Sequence, residues 1–487
     1  MSADLVRVRP GVYHDSVSLM RVSGALSALP GIEVAVVAMA TELNLGLAAG
    51  LGFALPEAGQ GDLLVALRGA GPDDLETARA ELDRLLTGLT VRTVQGGGGE
   101  RPARTVRSAA LRGAGEGYEG AATLALVSVP GPYAFAEAMD AIEAGLSVMI
   151  FSDNVPVEQE VLLKRRAAEL GPLVMGPDCG TAVVCGAGLG FANVLRPGPV
   201  GVVAASGTGA QQVTCLLDLA GVGVSHVLGV GGRDLSAEVA GLSTLRALAA
   251  LDADPSTELI VLVSKPPAPE TGLAVRRAAR ALSTPVVTAL LGSGGGSGCD
   301  LDCDLDGDSG GGPGDLTHAA EAVLRALGVP VPVWPSWPAP VSPRAGPAGT
   351  LRGVYSGGTL CAEARTVAGT GEFTDFGDDV YTRGRAHPMI DPSLRLEALA
   401  RVPAGDVALL DVVLGHAADP DPAAGLASGI ASAVARGVPV VVALVGSRDD
   451  PQGLTAQAEA LRAAGASVFV SNSHAAGYAA ALLAGAR

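Results

Sequence analysis

Two four-residue runs carry the residue types needed to hold a phosphate: Ser206-Gly207-Thr208-Gly209 and Ser356-Gly357-Gly358-Thr359. In each, a run of strand character turns through glycine and enters a stretch of helical pattern. A helix N-terminus presents unpaired backbone N–H groups and about half a positive charge. Such an end binds phosphate, and the hydroxyls of Ser206, Thr208, Ser356 and Thr359 add donors. An ordinary strand-to-helix turn capped by Ser or Thr has the same local signature. What separates the two readings is that there are two such turns, so that two helix ends can converge on one anion.

Two further groups are candidates. The run GVGGRD (229–234) sets Gly232, Arg233 and Asp234 after a glycine turn at a strand end, where α/β sheets place ligands. Arg233 there could pair bidentately with phosphate or carboxylate, or simply be solvated. The densest polar stretch is DFGDDVYTRGRAHPMIDP (375–392). Within it His387 is a candidate acid/base or oxyanion donor, and Arg385 a candidate anion clamp.

Several patterns fail on chemistry. GEGYEG (115–120) matches G-x-G-x-x-G but precedes a strand, so it gives no dinucleotide fold. DCDLDGDSGGGP (302–313) opens like a calcium loop, yet its twelfth position is Pro313 where a bidentate Glu is needed. Cys299 and Cys303 lack the second pair that a zinc knuckle requires, and Cys179 has no basic neighbour to activate it. No metal site is expected.

The elements that position these residues are strands alternating with Ala/Leu-rich helices, which reads as an α/β fold with parallel sheets. Strands are expected at 32–37, 123–129, 146–151, 199–204, 259–263, 285–290, 407–413 and 439–444, with helices such as 133–144 and 158–170. An internal repeat stands out at an offset near 150 residues. GVVAASGTGAQQ (201–212) returns as GVYSGGTLCAEA (353–364), and VLGVGGRD (227–234) as FTDFGDDV (373–380). VSKPPA (263–268) corresponds to DVVLGHAADP (411–420), and TPVVTALLG (284–292) to VPVVVALVG (438–446). Four anchors in one order indicate a duplicated flavodoxin-like unit, split by a Pro-rich linker holding Trp334 and Trp337.

Composition limits the rest. Gly and Pro supply 68 and 32 of 487 residues, but 48% of the chain is hydrophobic, enough for a large core and too much for a disordered protein. The formal charge of −17 repels phosphate backbones and anionic lipid, so neither nucleic acid nor a membrane surface is an expected partner. Six scattered cysteines, and no apolar run long enough to span a bilayer, point to a soluble cytoplasmic protein.

The chain resembles the FdrA family, whose members are related to the succinyl-CoA synthetase fold. The resemblance rests on HDSVSLM (14–20), SVPGPYA (128–134), FSDNVPVEQE (151–160), MGPDCGT (175–181), GFANV (190–194), ASGTG (205–209), GVGGRDLS (229–236), VSKPPA (263–268), YSGGTL (355–360) and GRAHPMIDP (384–392). It implies an N-terminal α/β segment (1–115), a CoA-binding, Rossmann-like layer (116–198), a first ligase-like flavodoxin domain (199–328), a linker (329–348) and a second such domain (349–487). CoA is the one cofactor it suggests. It also places the two Ser-Gly turns where that fold aims two helices at a transferred phosphoryl group. The histidine that carries the phosphoryl group in succinyl-CoA synthetases has no counterpart, because GSGGGSGCDLDCDLDGDSGGGPGD (292–315) fills its loop. The glutamate that holds it is missing too, the strand ending in Ser264-Lys265-Pro266. The resemblance therefore implies a carbamoyltransferase-type subunit acting on carbamoyl phosphate or an acyl phosphate, with oxamate or a related amide as acceptor and separately encoded partner subunits. An acyl-CoA synthetase and a non-catalytic anion- or CoA-binding scaffold are the alternatives.

Overall fold

The computed structural model describes residues 3–12, 14, 16–59, 61–94, 105–112, 122–291, 315–341, 345–346, 349–382 and 385–485. They divide into two compact units: Met1–Arg104 with Asp379–Asp391, and Thr105–Asp378 with Pro392–Arg487. The expected acidic loop and the GEGYEG run lie outside the described residues.

In the first unit the elements run β1 (Ala3–Arg9), α1 (Ser16–Ser27), β2 (Ile32–Met39), α2 (Glu42–Gly50), β3 (Leu63–Gly69) and α3 (Pro72–Val94). The three strands form an antiparallel sheet in the order β1-β3-β2. β3 is central, and Leu63 to Leu67 are fully buried because both sheet faces are covered. Leu19, Leu26 and Leu82 of α1 and α3 pack on one face, while Ala48 of α2 and Phe53 pack on the other.

The second unit opens with α4 (Val106–Arg112), β4 (Leu124–Val127), α5 (Gly131–Glu143), β5 (Ser147–Ile150), α6 (Val157–Leu170) and β6 (Val174–Met175). Here β4, β5 and β6 make a small parallel sheet. The next strands, β7 (Thr181–Val184) and β8 (Ala187–Gly190), form a hairpin that joins the following sheet through β10. That sheet and its helices comprise β9 (Pro197–Ala205), α7 (Gly207–Leu219), β10 (Val224–Gly229), α8 (Leu242–Asp252), β11 (Leu259–Ser264), α9 (Pro269–Arg280), β12 (Val286–Leu290) and α10 (Leu316–Ala326). After β13 (Ser336–Trp337) come β14 (Leu351–Tyr355), α11 (Gly358–Ala368), β15 (Glu372–Asp375) and α12 (Asp379–Thr382), the last grouped with the first unit. The chain closes with α13 (Ser393–Ala400), β16 (Val407–Val413), α14 (Pro422–Ala435), β17 (Val440–Val445), α15 (Leu454–Ala463), β18 (Ser467–Phe469) and α16 (Asn472–Ala484).

Sheet order bears out the repeat. The first large sheet contains β12-β11-β9-β10 and the second β17-β16-β14-β15, the same four strands in the same order, all parallel. Buried on both faces, they read as continuous runs such as LIVLVS (259–264) and VALLDVV (407–413). The order switches direction beside β9 and beside β14, and crevices at such points open at the carboxyl ends of the strands. Both Ser-Gly turns leave the sheets there. The Pro/Trp linker is stapled in place: Ser336–Trp337 pairs with β18, and Trp334 Nε1 donates to Glu321 at 3.0 Å.

Three helices of this unit meet at a buried polar contact. Glu363 accepts from Leu316 N at 2.6 Å and from Asn472 Nδ2 at 2.6 Å, and Tyr355 donates to Asn472 at 3.1 Å. Burial, reinforced by Asp315 and opposed by the Asn472 and Leu316 donors, pushes the Glu363 carboxyl up to about 8. The sign follows. A carboxyl that holds its proton more tightly when folded stabilises the fold fully at acid pH, and the contribution is lost as pH rises through about 8. The unfolding temperature of the wild type is expected to fall between about pH 5 and 8 more steeply than that of Glu363→Gln. Parallel curves for the two proteins would remove this assignment.

Candidate functional site

Each repeat ends its first strand on a Ser-Gly turn, and the two turns touch. Ser206 caps α7, its Oγ accepting from Gly209 N at 3.0 Å. The same Oγ donates to Thr359 Oγ1 of α11 at 2.6 Å. Ser206 and Thr359 are 8% and 2% exposed, so this bond is shielded from water. Glycine is required for the approach: a β-carbon on Gly357 would lie 2.7 Å from Thr208 Oγ1, and one on Gly209 would lie 2.6 Å from Ser206 Oγ. The structure thus brings together Ser206, Gly207, Thr208 and Gly209 with Ser356, Gly357, Gly358 and Thr359.

The second turn is held from behind. Asp411, fully buried at the carboxyl end of β16, accepts from Ser356 N at 2.7 Å, Ser356 Oγ at 3.0 Å and Gly357 N at 2.9 Å. Arg395 of α13, 3% exposed, places Nη2 3.1 Å from the same carboxylate and also donates to the Asp411 backbone carbonyl. The Ser356 hydroxyl is therefore engaged in building the turn, while Ser206 and Thr359 face each other across it. In the first repeat the register puts Ser264 where the second has Asp411: Ser264 follows Val263, paired with Ala204, and Asp411 follows Leu410, paired with Val354.

Lys265 follows Ser264. Its Nζ lies 2.9 Å, and Asp375 Oδ2 2.5 Å, from the place a β-carbon on Gly358 would occupy. An ammonium and a carboxylate thus flank the first residue of α11. Burial pushes the Asp375 carboxyl up to about 6; the Gly377 N–H and Lys265 oppose the rise, and Asp411 and Asp378 add to it. Lys265 was legible in the sequence only as the residue where a glutamate was missing.

The other sequence candidates lie elsewhere. Asp234 is fully buried, accepts from Ser243 N at 3.1 Å and from Thr244 N and Oγ1 at 2.8 and 2.6 Å, and pairs with Lys164 Nζ at 2.7 Å. Arg233 pairs with Glu160 at 2.9 Å and donates to Val155 O at 2.7 Å. Both are tied to helix and loop packing beside Gly232, whose neighbour Gly231 has φ +91° and approaches the Pro177 carbonyl. Asp234 is thus held in a buried cluster with Lys164, while Arg233 is exposed on one side and paired with Glu160 on the other. Arg385 and His387 belong to the first unit: Arg385 is exposed, and His387 Nδ1 accepts from Met389 N at 3.3 Å. The structure does not group them with the two turns. Cys179 is buried, and burial pushes its thiol up to about 12, which removes it as a nucleophile at neutral pH.

Comparison with known proteins adds family information. Residues 1–102 match a family model described as AllF, heavy metal-associated domain, and residues 354–482 match one described as CoA-ligase. Residues 1–102 contain no cysteine, and no group of three His, Cys, Asp or Glu among the described residues could hold a metal ion. The chain is 36% identical over 516 residues to the uncharacterized protein YahF of Escherichia coli, covering 96% of this chain and 95% of that one. It is 30% identical over 151 residues to a succinate–CoA ligase subunit alpha of Archaeoglobus fulgidus, covering 30% of this chain and 51% of the relative. The chain thus spans about half the length of that ligase subunit. Among solved structures, an ATP citrate lyase from Methanothrix soehngenii with citrate and coenzyme A matches at TM-score 0.34 and 20% identity, over 47% of this chain and 38% of that one. No helix among the described residues is long and apolar enough to cross a membrane.

Proposed function

The chain belongs to the FdrA family, and from that membership we propose that it is the phosphate-holding subunit of a carbamoyltransferase. The substrate would be carbamoyl phosphate, with oxamate or a related amide as acceptor, in purine or allantoin breakdown, and with separately encoded partner subunits. One observation carries the reading: the N-termini of α7 and α11 meet at the Ser206–Thr359 hydrogen bond, so two positive helix ends lie side by side. In the reaction the acceptor nitrogen attacks the carbamoyl carbon, the bond from that carbon to the phosphate oxygen breaks, and inorganic phosphate departs with the bonding pair. The nitrogen's proton passes to phosphate or to a basic group. Backbone N–H groups at the two helix ends would stabilise the growing charge on the leaving phosphate without reorganising. No phosphorylated histidine is needed, in keeping with its missing counterpart in the sequence.

The CoA-ligase match at 354–482 supports a second reading, an acyl-CoA synthetase that takes CoA as cosubstrate. The two are separated by reconstituting the chain with its partner subunits. The transferase releases phosphate from carbamoyl phosphate only when the amide acceptor is present; the ligase makes acyl-CoA only with CoA and nucleotide. Ser206→Ala removes the cap of α7 and the bond that places the Thr359 hydroxyl, and is expected to lower kcat/KM of the transferase by about 100-fold, the loss that a misplacement of about 1 Å can bring. Arg385→Ala tests whether that exposed arginine contributes to the same reaction. Full activity in both variants, or no phosphate release by the wild-type complex, would leave a non-catalytic scaffold as the reading.

A further inference from the structure

The hydrogen-bond chain across the two turns runs in one direction. Gly209 N donates to Ser206 Oγ, and Ser206 Oγ donates to Thr359 Oγ1. The Thr359 hydroxyl keeps its own proton, and among the described residues nothing accepts it. A buried donor without an acceptor is costly, so a residue 2% exposed in this state asks for an acceptor oxygen from outside the chain. Around it stand two further donor groups and one carboxylate, that of Asp375. Thr208 Oγ1 stands beside Gly357, and Nζ of the exposed Lys265 stands beside Gly358 with no ion pair among the described residues. The ammonium sits at the carboxyl end of β11, next to the switch in strand order that makes the crevice.

We propose that Lys265 and the Thr359 hydroxyl bind the phosphoryl group of the substrate, with Lys265 supplying the cation and the first amides of α7 and α11 the remaining donors. This rests on the phosphate reading of the same site and names residues that the reading left open. The chemistry selected is a compact tetrahedral dianion, either a carbamoyl or an acyl phosphate or inorganic phosphate itself. Asp375 sets a limit on it. Its carboxylate shares the space beside Gly358 with Lys265, and Asp411, Asp378 and Arg395 act on it from neighbouring elements. A dianion entering there favours the protonated form of Asp375, so binding takes up a proton and strengthens as pH falls.

The test is titration calorimetry of the purified full chain with inorganic phosphate, and with sulfate, whose charge stays constant between pH 5.5 and 8. Lys265→Met is expected to weaken both anions about tenfold or more, and Thr359→Val to weaken them by a smaller factor, with unfolding temperatures checked for each. Lys265→Arg is expected to keep binding within about threefold, and Asp375→Asn to tighten sulfate at pH 7.5 while flattening its pH dependence. Equal binding by wild type and Lys265→Met overturns the assignment of Lys265. No binding by the wild type overturns the anion site altogether. Anion binding that depends on Lys265, in a complex that transfers no carbamoyl group, keeps the site and discards the carbamoyltransferase reading alone.

Discussion

Replacing Lys164 by methionine is expected to destabilise the folded chain by about 3–5 kcal/mol, the cost of leaving buried charge without its partner. Lys164 lies on α6 with a side chain 1% exposed, and its Nζ is 2.7 Å from Glu160, 2.7 Å from Asp234 and 3.0 Å from the Val230 carbonyl. Two carboxylates and a carbonyl therefore take all three ammonium protons. Methionine matches the length of the stem but leaves Glu160 with Arg233 as its only cation, and Asp234 with none. The loss is largely the desolvated charge left behind, so Lys164→Met combined with Asp234→Asn should recover part of it. Asparagine would still serve the Ser243 and Thr244 donors that organise the start of α8. Denaturant midpoints of the two single variants and the double settle this. A Lys164→Met loss below about 1 kcal/mol, the range of a surface pair, would show that the cluster is not desolvated.

The same cluster shows what a sequence can and cannot disclose. Arg233 and Asp234 follow a glycine turn at a strand end, which is where ligands bind in such sheets, and nothing local discloses that both pair with charges on another helix. Those charges are Glu160 and Lys164, about 70 residues earlier on α6, and only tertiary packing joins them. The duplication was legible because it is a property of order: strand, Ser-Gly turn and helix recur at one offset, and the sheets repeat β12-β11-β9-β10 as β17-β16-β14-β15. Strands buried on both faces were legible for a related reason, since they show as unbroken apolar runs. β1 and β3 of the first unit, and the β7–β8 hairpin, were not picked out. β8 is AGLG, with no β-branched residue to mark it, and its pairing is set by the partner strand.

The candidate site divides along the same line. Turn residues that share a short motif were found, whereas the groups that make the space around them come from distant strand ends: Lys265 after β11, Asp375 ending β15, Asp411 within β16. Arg385 and His387 were read as part of the repeated domain because they follow it closely in sequence. Residues 379–391 are instead an excursion that clusters with the first unit, and the chain returns to the second at Pro392. An insertion of 13 residues between two recurring elements leaves no periodic signal of its own.

Asp411→Asn is expected to destabilise the chain by about 3–5 kcal/mol and to weaken sulfate binding by about tenfold or more. Asp411 both holds the Ser356-Gly357 turn and neutralises a buried arginine. Its two oxygens receive three donors from Ser356 and Gly357 as well as Arg395. Asparagine offers one oxygen, turns an N–H group toward donors, and leaves Arg395 buried, with its Nε already lacking a partner. Two effects then oppose each other. Removing a negative charge near the site favours an anion, but that charge is largely cancelled by Arg395, so its field at the turn is small. Releasing Ser356 and Gly357 frees the first residues of α11 to move away from Ser206, and the geometry should therefore dominate. A double variant, Asp411→Asn with Arg395→Met, discriminates the two. It removes the unpaired charge and should recover stability, as replaced buried pairs often do, while sulfate binding should stay weak because the turn still lacks its acceptors. Sulfate bound more tightly by Asp411→Asn than by the wild type would show that charge outweighs geometry here, and would refute the role given to Asp411 in holding the two helix ends together.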